Sequence, residues 1–75
     1  MDVDPRVLVE LANARMPFGR YQGRRLLELP EGYLVWFQQQ GWPVGRLGEQ
    51  LAAILEIKHN GLADMLAPLV EGEKS

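Results

Sequence analysis

From Met16 to Pro30 the chain reads Met-Pro-Phe-Gly-Arg-Tyr-Gln-Gly-Arg-Arg-Leu-Leu-Glu-Leu-Pro, and no continuous helix can run through it. Pro17 disfavours helical geometry at Met16. Gly19 and Gly23 bracket Arg20-Tyr21-Gln22 and permit the positive φ values of tight turns. Short apolar segments flank them, Met16-Pro17-Phe18 before and Leu26-Leu27-Glu28-Leu29 after. This pattern predicts a small β-hairpin with a five-residue loop. Its alternative is an irregular glycine-rich loop with extended flanks. Two strands alone are marginal in water, so the hairpin is expected to lie on helices.

Helical patterning resumes on both sides. Asp4 followed by Pro5 supplies a capping oxygen and then a residue with φ already set. Val7, Leu8, Leu11 and Ala12 recur on one face and predict an amphipathic helix over residues 5–14. A second helix begins at Pro30. Tyr33, Trp36, Phe37 and Gln40 follow its period, Leu34 widens the apolar stripe, and Gly41 supplies a left-handed C-terminal cap. The link Trp42-Pro43-Val44-Gly45 is stiff and apolar. Leu47, Leu51, Ile54 and Leu55 define a third helix closing near Asn60-Gly61. Leu62, Met65, Leu66 and Leu69 predict a shorter fourth, weakened by Pro68. The expected architecture is therefore α+β, a single domain over residues 1–75 with element order α-β-β-α-α-α. The hairpin packs on three to four helices, the structured core covers about residues 4–70, and residues 71–75 form a frayed tail.

A chain of 75 residues with 47 % hydrophobic content is long enough for one core. Its expected stability is roughly 4–11 kcal/mol. Cysteine is absent, which removes disulfides, iron–sulfur clusters and thiolate zinc sites together. Stability must come from packing or from a partner chain. The start Met1-Asp2-Val3-Asp4-Pro5 lacks the basic region and apolar run of a signal peptide. No apolar run approaches the ~20 residues needed to cross a bilayer. A cytoplasmic protein without membrane contact is the expectation.

Charge is unevenly distributed. Arg15, Arg20, Arg24 and Arg25, half of the 8 basic residues, fall within residues 15–25, and no acid lies between Glu10 and Glu28. The chain as a whole carries −2, so the segment is a cationic island in an acidic body. Arginine presents a planar fork of donors that suits phosphate oxygens and stacks on bases. Tyr21 between Arg20 and Arg24 offers a stacking face for an unpaired base, and the glycines let backbone N–H groups approach an anion. Arg15, Arg20, Tyr21, Arg24 and Arg25 are thus the candidate nucleic-acid or anion-binding residues. The competing reading is a solvated turn whose arginines pair with Glu28 or Glu31, with Tyr21 folded onto the core.

Other clusters carry less chemistry. The helical spacing of Tyr33, Trp36 and Phe37 assigns them to core packing, with Trp36 and Phe37 cementing the second helix onto the hairpin and first helix. Trp42, in the Gly/Pro link, is the aromatic expected to be partly exposed and is a candidate partner-binding residue. His59 has no second imidazole or thiolate near it in sequence, so no metal site is expected. It suits the C-terminal end of the third helix, where its charged form meets the helix dipole favourably. Ser75 is the only serine and threonine is absent. With no nucleophile beside the one histidine, neither catalysis nor a cofactor is expected.

The ordered phrase Met16-Pro17-Phe18-Gly19-Arg20-Tyr21-Gln22-Gly23, then Leu27, Leu29-Pro30, Tyr33-Leu34 and Trp36, resembles a small bacterial family. Gly41-Trp42-Pro43 and Glu56-Ile57-Lys58-His59-Asn60-Gly61-Leu62 extend the likeness over about residues 15–66. The family is labelled a putative quorum-sensing-regulated virulence factor and has no assigned activity. A related phrase is similar to the C-terminal appendage of exonuclease-X-type DNA exonucleases, where it accompanies a catalytic domain with acidic metal ligands that this sequence lacks. The resemblance implies a small accessory module near DNA rather than a nuclease. Arginine stands at positions 20 and 24, where the family usually has lysine. Gln22 stands at a frequently basic position.

Two functions follow as expectations. The first is a non-enzymatic module whose Gly19–Arg25 loop contacts nucleic-acid phosphates of single strands or frayed ends. The second is a protein–protein interaction or self-association module using the Trp42 region, docking an acidic partner or a second copy, with the basic loop only a solvated turn. The expected state is a monomer or weak homo-oligomer.

Overall fold

A computed structural model describes residues 4–71, and these form helices joined by turns. Helix α1 spans Pro5–Asn13. The Asp4 carboxylate caps it, accepting from the Arg6 backbone N–H at 2.9 Å while the Arg6 guanidinium binds the same carboxylate at 2.9 Å. The Arg6 side-chain hydrogen bonds, then the backbone one, hold the Asp4 carboxyl below its ordinary 3.8. The cap is therefore complete above pH 3.8 and fades as pH falls through the lowered value. Leu11 and Ala12 face inward from α1.

The expected β-hairpin is not formed, and the fold is all-helical rather than α+β. Among the described residues the only β-type pairing is an isolated antiparallel bridge between Arg15 and Arg25. The hydrogen bonds explain why it stops there. Leu26 N–H donates to the Ala14 carbonyl at 2.8 Å and Met16 N–H to the Arg24 carbonyl at 2.7 Å. A continuing ladder needs Arg24 N–H to return to the Met16 carbonyl. Instead Arg24 N–H closes a turn on the Tyr21 carbonyl at 3.0 Å, and Gly23 N–H takes the Met16 carbonyl at 2.8 Å. The register slips by one residue and pairing ends. Gly23 adopts a φ of 88° at this point, which disfavours any residue with a Cβ.

The presumed second strand is a 3-10 turn, Leu26–Glu28. Leu26 and Leu29 are both fully buried. Their separation of three residues matches the three-residue turn of a 3-10 helix rather than the two-residue period of a strand. Helix α2 covers Glu31–Gln40, α3 covers Arg46–His59 and α4 covers Ala63–Leu66, followed by a second 3-10 turn at Ala67–Leu69. Helix α2 packs on α3, while α1 packs on both 3-10 turns and on α4. The core draws Leu11 and Ala12 from α1, Met16 from the loop and Leu34 from α2, then Leu51, Ile54 and Leu55 from α3 and Leu66 from α4.

Polar side chains tie the irregular segments down. Lys58 of α3 donates to the Leu27 carbonyl at 2.8 Å. Asn13, the last residue of α1, donates to the Leu69 carbonyl at 2.9 Å and accepts from the Glu71 N–H at 2.6 Å. Arg25 donates to the Glu71 carbonyl at 2.5 Å and lies 3.9 Å from the Glu28 carboxylate. Both backbone groups of Glu71 are thus held by side chains. Residues 72–75 of the expected tail lie outside the described residues.

Two positions have testable consequences for stability. Gly48 in α3 is buried against the Gly-Trp-Pro link, and a Cβ there would fall 1.8 Å from the Pro43 carbonyl oxygen. Backbone cannot swing aside, so Gly48→Ala is expected to cost about 3 kcal/mol, the upper end of the usual overpacking range. The urea midpoint measures it. Arg25→Ala removes a charged hydrogen bond made by a residue only 5 % exposed and should cost about 1.5–3 kcal/mol. Arg24→Ala, on the surface, should stay within about 0.5 kcal/mol of the parent protein. Equal effects of the two substitutions would contradict the anchoring role of Arg25.

Candidate functional site

The loop divides the four arginines between two tasks. Arg25 points inward and anchors Glu71. Arg15 is exposed, and its guanidinium donates to the Gly23 carbonyl at 2.6 Å, bracing the loop from its root. Arg20 at the tip and Arg24 on the returning arm are exposed, and among the described residues neither meets a carboxylate within ion-pair distance. The acids that might have neutralised them are directed elsewhere. Glu28 faces Arg25, and Glu31 lies 3.5 Å from His59. The exposed arginines of the segment are therefore Arg15, Arg20 and Arg24.

Tyr21, partly buried against the core, joins the loop to α2. The Arg20 guanidinium carbon lies 5.4 Å from the Tyr21 ring centroid, within cation–π range. Tyr21 meets Tyr33 edge-on with centroids 4.7 Å apart, Tyr33 meets Phe37 at 5.2 Å, and Phe37 meets Trp36 at 5.1 Å. These are favourable T-shaped contacts. They form an unbroken aromatic row from the loop tip along α2.

The far end of that row differs from the expectation of core packing for Trp36. Its side chain is 52 % exposed and the buried residue of α2 is Leu34, while Tyr33 and Phe37 are partly buried against the core. Phe18, beside Gly19, is also 45 % exposed. Sequence reasoning missed both as surface aromatics. In α2 the reason is that Tyr33 to Phe37 is apolar at every position, so these five residues span more than one full turn and no face stands out. The one usable signal was the Met-Pro-Phe-Gly phrase, in which a proline and a glycine on either side keep Phe18 out of any regular element.

Trp42 is half-buried and lines a groove of about 540 Å³ between α2 and α3. Val35 and Leu55 contribute apolar walls, and Glu31, Glu56 and His59 contribute charge and hydrogen-bonding groups. His59 sits in the last turn of α3. Among the described residues no three of His, Asp and Glu gather to hold a metal ion, and no helix is long and apolar enough to cross a membrane.

The chain is 51 % identical over 63 residues to the uncharacterized protein YpeB of Escherichia coli strain K12 and, equally, to its counterpart in strain O157:H7. The matched region covers 83 % of this chain and 88 % of each relative. No solved structure matches. The likeness to the exonuclease-X-type appendage is not borne out by these matches. A family model, in contrast, aligns with residues 4–69, nearly all that the structure describes. The chain belongs to the family described as "Putative quorum-sensing-regulated virulence factor".

Proposed function

We propose that the chain is a non-enzymatic cytoplasmic module that binds single-stranded or frayed nucleic acid through its Gly19–Arg25 loop. The observation that carries this reading is the outward pair Arg20 and Arg24, without acidic partners among the described residues, set beside Tyr21 and the aromatic row. Arginines already paired to carboxylates must give up those contacts to meet phosphate, and these two do not. Arg15 adds a third charge at the root, and Arg25 is assigned to the fold. Base stacking on an aromatic face beside a cationic track is the general recipe for sequence-tolerant single-strand binding.

Three phosphate contacts predict a slope of log K against log salt of about −2.1 on single strands, or roughly a 20-fold loss of affinity between 50 and 200 mM salt. Replacing Arg20 and Arg24 together by alanine should lower affinity and flatten that slope to about −0.7. Fluorescence anisotropy with a labelled oligothymidylate provides the measurement. Salt-independent binding, or binding indifferent to the double substitution, overturns the reading.

The groove at Trp42 favours a second reading, self-association or protein docking through the α2–α3 face. It predicts a sedimentation coefficient that rises with protein concentration and becomes constant in Trp42→Ala. A concentration-independent monomer would sink it.

A further inference from the structure

We propose that Trp36 is a base-stacking residue and forms a second contact point for the strand held at the Arg20–Arg24 loop. The inference rests on the nucleic-acid reading above and adds to it a residue, an extent along α2 and a strand type. Trp36 lies outside the core cluster, and its indole is half exposed. It is nevertheless braced, because its ring meets Phe37 at 76° between planes and Phe37 meets Tyr33 at 83°. A surface indole braced in this way has already lost much of its rotamer freedom, so less entropy remains to be lost when a base stacks on it.

The position of the indole selects the ligand. The aromatic row leads without a gap from Trp36 to Tyr21, and the Arg20 cation lies over Tyr21 at the other end. A strand whose phosphates meet Arg20 and Arg24 therefore continues along an apolar, aromatic track on α2. Duplex nucleic acid keeps its base faces stacked inside the helix and offers them only at its ends. An unpaired strand presents every base face.

The test uses the full chain and oligothymidylates of two and eight nucleotides. Indole fluorescence of the parent protein should be quenched by the eight-nucleotide strand and by much less in Trp36→Phe, whose remaining indole, Trp42, lies in the α2–α3 groove. Trp36→Ala should weaken binding of the eight-nucleotide strand by about 5- to 160-fold, the range for loss of one stacked base. It should leave the salt slope unchanged, since no charge is removed. The two-nucleotide strand, with fewer bases to engage both contact points, should be weakened much less. A thermal melt of each variant checks that the fold is retained, and Trp36→Phe, which keeps an aromatic face, should bind the eight-nucleotide strand more tightly than Trp36→Ala. Strand binding that depends on Arg20 and Arg24 but is indifferent to Trp36 overturns this inference and leaves the loop reading standing. Failure of any strand to bind overturns both. A change in self-association on Trp36→Ala with unchanged strand affinity overturns it too, by assigning the indole to a protein contact.

Discussion

The backbone of Met16 is the point on which the rest of the structure depends. Its side chain is 1 % exposed although it lies in a segment without regular secondary structure. Buried backbone groups must be hydrogen-bonded, and outside a helix or sheet the partners have to be found locally. Met16 finds them in the returning arm of its own loop, with its N–H on the Arg24 carbonyl and its carbonyl on the Gly23 N–H. This clasp closes the loop and places Arg25 and Leu26 at the edge of the core. It also leaves the tip, Phe18 to Gln22, to be shaped by what packs beneath it.

From the clasp follows the division of charge. The Arg25 guanidinium, directed inward, reaches the carbonyl of Glu71 and ties the loop to the C-terminal end of the described chain, with Asn13 of α1 holding the same residue by its N–H. The neighbouring Arg24 and the tip residue Arg20 are turned outward by the same turn geometry. A run of arginines that looks uniform in sequence is thus part structural anchor and part available surface. The acids that flank it are engaged by Arg25 and His59 rather than by the tip. The exposed charge of Arg20 and Arg24 survives because the fold directs these potential partners elsewhere.

Much of the framework was legible because it rests on local rules. Asp4 and Pro5 mark the start of α1, Gly41 the end of α2, and the leucine and isoleucine spacing from Leu47 to Leu55 marks the buried face of α3. The hairpin was not legible, because glycines and apolar flanks suit a hairpin and a pinned loop equally well. A one-residue slip at Gly23 decides between them. Within Leu26–Leu29 the burial of residues three apart, rather than two, followed from which of the leucines reached α1 and α3. Nor was Gly48 conspicuous. Its lack of a side chain matters only because Pro43 passes within contact of it, and that approach is created by the turn between α2 and α3.

For the candidate site the sequence by itself determined the inventory: four arginines near one tyrosine, bracketed by two glycines, in a chain with no nucleophile or thiolate ligand to offer. It also determined where the helices begin and end, since capping and periodicity act over a few residues. Only the tertiary structure decided which arginine is buried, which aromatic of α2 is left in water, and that Tyr21 and Trp36 lie along one row. Those outcomes depend on contacts between segments distant in sequence. A helix apolar at five successive positions has no intrinsic inner face until α3 packs on Leu34 and leaves Trp36 outside.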